Sequence, residues 1–155
     1  MIAVAAAFVA ALAQWVATPF LAQGEIRFQR QTAVFSGVNL LADITRLHAE
    51  AGHWDEVPRL VNALSDGLPD GQSAVFDARW SLIAQHGAPA AMPGQKALRE
   101  LARDPNAVLI QGERYYAARP VDVGDETLGY AVYSFEPRPF VSTWLWVVAM
   151  NAVAL

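Results

Sequence analysis

The chain has 155 residues, 11 Lys and Arg against 15 Asp and Glu, a formal charge of −4 and no cysteine. That balance offers no basic stripe to a nucleic acid, and it excludes a disulfide framework, a thiol nucleophile and a thiolate metal site. Hydrophobic residues make up 54% and charged residues 17%, an imbalance made by the two ends, because every charged side chain lies between Glu25 and Arg138.

Met1 to Ala22 is an apolar run interrupted by Gln14, Thr18 and Pro19. At a rise of about 1.5 Å per residue it is long enough to cross a hydrocarbon core of about 30 Å. It is expected to be a transmembrane helix, with Trp15 and Phe20 suited to the water interface. A cleaved signal peptide fits less well: no basic residues precede the apolar run, and bulky Phe20 stands at the minus-three position before a cut at Gln23.

A polar domain, 23–138, follows. From Gly24 to Glu50 the spacing of Phe28, Phe35, Val38, Leu41, Ile44 and Leu47 or His48 predicts a long amphipathic helix that continues from the first span. Its stripe has two readings. One is core packing; the other is the seam of a parallel homodimer, with Phe35, Val38, Leu41 and Ile44 as the interface. A break at Gly52 leads into a short second helix whose inner face is Leu60, Val61 and Leu64, with Trp54 pinning the connection.

Beyond Gly71 the pattern becomes extended. Ser73 to Phe76 and Ser81 to Gln85 read as a hairpin around Asp77-Ala78-Arg79, and the loop His86 to Gly94 leads to a helix at Gln95 to Arg103 with Leu98 and Leu101 inward. Three strands are predicted next: Ala107 to Gln111, Arg114 to Val121 and Leu128 to Phe135, turning at Gly112-Glu113 and Gly124-Asp125. The order gives an α+β domain, an antiparallel sheet with a long N-terminal helix. Residues 139–155 form a second apolar segment that carries Val141, Trp144, Leu145 and Trp146. It is slightly short of the roughly twenty residues a span needs, so the chain is expected to end inside a second transmembrane helix.

Ala74-Val75-Phe76-Asp77 with Ser81-Leu82-Ile83-Ala84, then Tyr115-Tyr116-Ala117-Ala118-Arg119-Pro120-Val121 and Leu128-Gly129-Tyr130-Ala131-Val132, complete a pattern. It resembles the extracytoplasmic PAS-like sensor domains, called PDC or Cache domains, of bacterial sensor histidine kinases and chemoreceptors. The likeness covers the middle of the chain and lies more in topology than in sequence. It departs from those domains at Trp80, where they often carry Gly three residues after the hairpin aspartate.

The resemblance implies a PAS-like sheet flanked by two transmembrane helices in a bacterial inner membrane, with the middle domain on the periplasmic side. It further implies sensing of a small ligand such as a carboxylate, no cofactor, a homodimer, and a kinase output beyond Leu155. The alternatives are the sensor region of a chemoreceptor, or a small membrane-anchored interaction or assembly protein with no ligand.

The candidate pocket is the sheet face beneath the loop His86 to Gly94, with Tyr115, Tyr116, Arg119, Tyr133 and His86 as ligand-binding residues. Arg119 suits a carboxylate. Tyr115 and Tyr116 must face opposite sides of a regular strand, so at most one lines any pocket. Weaker groups are His48, Glu50, His53 and Asp55 near one helix end, and Asp122, Asp125 and Glu126 at a hairpin turn. Divergent histidine spacing argues against a metal, and no catalytic motif is present.

Overall fold

The computed structural model describes residues 27–67, 71–87 and 92–137. Helix α1 is continuous through residues 27–50. It ends because Gly52 adopts φ +75°, which lets its own N–H donate to the Ala49 carbonyl and the His53 N–H donate to the His48 carbonyl. These two bonds close the last carbonyls of the helix in the reciprocal pattern that favours glycine after a helix end. A 3₁₀ turn, Trp54–Glu56, leads into α2, Val57–Gly67.

The strands β1 (Gly71–Asp77), β2 (Leu82–His86), β3 (Leu109–Gln111), β4 (Arg114–Val123) and β5 (Glu126–Phe135) form one antiparallel sheet in the order β2-β1-β5-β4-β3. Helix α3, Gln95–Arg103, lies between β2 and β3 in sequence. β4 runs two residues past the expected end, through a bulge between Val121 and Asp122, before the Gly124 turn at φ +60°. The α+β architecture and the five expected strands are present.

Strand alternation divides the sheet into two faces. On one face α1 and α2 pack Val34, Val38, Leu41, Val57 and Val61 against Val75, Tyr115, Ala117, Val121, Ala131 and Tyr133. On the other, α3 packs Leu98 and Leu101 against Ala74, Tyr116, Ala118 and Val132. A buried hydroxyl pair ties α2 to β1. Ser65 Oγ donates to the Val61 carbonyl at 2.8 Å, which leaves Ser73 Oγ to donate to Ser65 Oγ at 3.0 Å.

The stripe of α1 differs in phase from the expected one. Its buried residues are Val34, Gly37, Val38, Leu41, Ala42, Thr45 and Ala49, whereas Phe28 and Leu47 are 70% and 60% exposed. Of the residues considered for a dimer seam, Val38 and Leu41 have their side chains in this chain's own core; Phe35 and Ile44 are half-buried. The reason is the close approach of helix to sheet: a Cβ at Gly37 would overlap the Tyr133 ring, so α1 turns its small residues inward.

Among the described residues no helix is long and apolar enough to cross a membrane. The two segments expected to do so, 1–22 and 139–155, lie outside the described residues.

Candidate functional site

Cross-strand register arranges the α3 face of the sheet in three rows. Ala74, Val132 and Ala118 form the middle row, Gln72, Ser134 and Tyr116 the row at one end, and Phe76, Tyr130 and Pro120 the row at the other. Small side chains in the middle admit α3, whose Leu98 and Leu101 fill the space above them. Larger and more polar groups remain at both ends of the helix.

The Gln72 end is polar although it is buried. Ser134 is fully buried and Tyr116 is 2% exposed, yet Gln72 Oε1, equally shut off from water, has no hydrogen-bond partner among the described residues. A buried acceptor without a donor costs about 1–3 kcal/mol, and native proteins keep few of them without a reason. Beside this row Arg114 donates to Ser134 Oγ at 3.3 Å and pairs with Glu136. Gln111, Glu113, Arg114, Tyr116 and Glu136 line a cavity of about 300 Å³. Burial pushes the Tyr116 hydroxyl above its ordinary pKa; Arg114 opposes the shift and Glu136 adds to it. The phenol is therefore a neutral donor at any physiological pH.

Gly87 lies against the Gln72 side chain, so this row sits where the loop after β2 begins. Residues 88–91 of that loop lie outside the described residues; Met92 packs onto the α3 side of the core.

The expected ligand residues do not converge. Tyr116 alone faces the α3 side. Tyr115 and Tyr133 belong to the α1 side of the core, at 7% and 3% exposure, and their rings are packing surfaces. Arg119 also faces α1: its Nε donates to Asn39 Oδ1 at 3.0 Å, and its guanidinium lies 5.3 Å from the Phe35 ring centre. Burial lowers its pKa, with Asp104 opposing. His86, on the edge strand β2, meets Asn62 Oδ1 of α2 at 3.2 Å. These five residues are divided between two faces and an edge.

Among the weaker groups, His48 and Asp122 have local partners. His48 Nδ1 lies 3.1 Å from the Ile44 carbonyl and Nε2 lies 3.5 Å from Glu56, which ties the end of α1 to the 3₁₀ turn. Asp122 accepts a 2.6 Å hydrogen bond from Thr127 Oγ1 across the β4–β5 turn.

Sequence reading missed Gln72, Ser134 and Arg114. The signal was present in the alternation of β1 and β5, since a Gln and a Ser at the same parity as Ala74 and Val132 are polar residues on an otherwise apolar face. No protein-family model matches this chain, and no curated protein matches it either.

Proposed function

We propose that this chain is the sensory input part of a membrane receptor: a PAS-like domain outside the cytoplasm, held between membrane helices at 1–22 and 139–155. A sensor histidine kinase of a bacterial inner membrane is the output type this reading favours. The observation that carries it is the buried Gln72 Oε1, without a partner among the described residues, in the same row as Ser134 and Tyr116 and beside Arg114. A ligand that offers a donor to Gln72 and a carboxylate to Arg114 complements that row. The row includes Ser134, two residues before Glu136 and close to the chain's exit toward the second apolar segment. Binding that favours one arrangement of the Arg114–Glu136 contact would displace that exit.

The homodimer is part of the same proposal, on a different stripe of α1. Leu40, Ile44 and Leu47 repeat at spacings of four and three. Leu40 is 45% exposed and Leu47 more so. That spacing suits a two-helix seam lying beside the core-facing stripe.

A thermal-shift screen of the full chain against amino acids, other carboxylates and cations tests the sensory reading. A ligand present at about 100 times its Kd stabilises the folded state by about 2.7 kcal/mol and raises Tm. The response is expected to vanish in Gln72→Leu. A wild-type chain that answers no compound, or a reading frame that ends at Leu155 without an output region, overturns it. The burial of Tyr115, Tyr116 and Tyr133 in packing favours the second reading, an anchored assembly module without a ligand. A flat screen together with an intact dimer would select it.

A further inference from the structure

At the end of α3 away from Gln72, a cavity of about 510 Å³ opens between the helix, the β1–β2 hairpin and the start of β5. Trp80, Arg99, Arg103, Pro120, Thr127 and Tyr130 line it. Its floor is aromatic. Trp80 stacks on Tyr130 with ring centres 4.1 Å apart and planes 18° from parallel, and Phe76 tilts against Trp80 at 5.6 Å. The wall is cationic: Arg99 and Arg103 are one helical turn apart, and the Arg99 guanidinium stands 6.0 Å from the Trp80 ring centre.

Both features are held at a local cost. Trp80 sits at φ +65°, in the left-handed region where a bulky side chain is an outlier and glycine is at ease. The turn itself dictates this backbone. Asp77 Oδ1 accepts from the N–H groups of Arg79 and Ser81, and the Trp80 N–H donates to the Asp77 carbonyl, so the residue closing the loop must turn left-handed. Arg99 and Arg103 repel at i, i+4, and neither makes an ion pair among the described residues. Strain of this kind concentrates at ligand clamps. Here the strained tryptophan and the unneutralised guanidiniums border one cavity, of a volume usual for small-molecule sites.

We propose that this cavity binds a small aromatic carboxylate, its ring on the Trp80–Tyr130 platform and its carboxylate on Arg99 and Arg103. An offset stack satisfies the face of the indole, and the guanidiniums give charge-assisted, forked hydrogen bonds that a lysine could not match. In a chain of charge −4 the anion is drawn by this local pair and not by the overall field. The site is separate from the Gln72 row and requires no output region, so it stands or falls independently of the sensory reading.

Calorimetric titration of the full chain in detergent with benzoate tests it, with cyclohexanecarboxylate and inorganic phosphate as comparisons. Saturable benzoate binding is expected, with both comparison anions about tenfold weaker or more, because neither can stack. Trp80→Gly keeps the left-handed backbone and removes the platform; Arg99→Gln, on the exposed side of α3, removes one guanidinium without touching the core. Each is expected to weaken benzoate about tenfold while the far-ultraviolet circular dichroism is unchanged. No saturable benzoate binding, equal affinity for cyclohexanecarboxylate, or wild-type affinity in both variants overturns the proposal.

Discussion

Tyr133 lies flat against Gly37, so close that helix α1 could not carry even a methyl group at that position without moving away from the sheet. The same side chain also crowds Gly71, so one tyrosine sets the approach of both the long helix and the first strand to β5.

Gly37→Ala is therefore expected to destabilise the domain despite alanine's better helix propensity. Overpacking costs about 1–3 kcal/mol and the propensity gain returns about 1. A net loss of up to about 2 kcal/mol follows, read as a lower Tm by circular dichroism. In a Tyr133→Leu background the same substitution is expected to cost less, because the ring it strikes is gone.

Leu41→Glu and Leu40→Glu separate core from seam. Leu41 is 1% exposed, so a carboxylate there enters the core unpaired and the domain is expected to unfold at room temperature. Leu40 is exposed, and its substitution is expected to leave the melting curve within about 0.5 kcal/mol of wild type. Under the proposed dimer it also shifts sedimentation toward the monomer. A folded, monomeric Leu41→Glu would contradict the core assignment.

These two leucines show what was legible in the sequence and what was not. Three-and-four spacing gave the helix but not its phase, because α1 carries two overlapping apolar stripes. Large residues such as Phe28 and Leu47 dominated the sequence pattern, whereas the buried stripe also takes in Gly37, Ala42 and Ala49, with Gly37 pressed against Tyr133. The hairpins were legible because each carries its own turn chemistry. The site was less so: Tyr115 and Tyr133 looked like pocket residues only because strand parity relative to α1 is set by tertiary packing.

Trp80 yields a comparison of two substitutions. Trp80→Gly relieves about 1–2 kcal/mol of left-handed strain, which offsets part of what it forfeits: a stack worth about 0.5–1.5 kcal/mol beyond the area the indole buries. Trp80→Ala keeps the strain and loses the stack. Chemical denaturation is expected to rank alanine below glycine by about 1 kcal/mol, the reverse of the usual order in regular structure.

The raised pKa of Tyr116 gives an alkaline signature. Its folded-state value lies above the 10.0 of an exposed phenol because burial disfavours the phenolate. Between those two values the unfolded chain has lost a proton that the folded chain still holds, so stability is complete below about pH 10 and declines above it. Melts between pH 8 and pH 11, as about the usable window for phenol titration, are expected to show a shallower alkaline decline in Tyr116→Phe.

The last strand of the domain is an inner one. β5 is paired with β1 from Gly71↔Phe135 to Asp77↔Gly129 and with β4 from Tyr115↔Phe135 to Val123↔Glu126, so both ladders end together at Phe135. A tension applied there along the strand cannot unzip hydrogen bonds one at a time; it must shear two ladders at once. The sheet consequently behaves as a stiff mount for whatever the chain connects to beyond Phe135, able to hand on a small displacement without absorbing it.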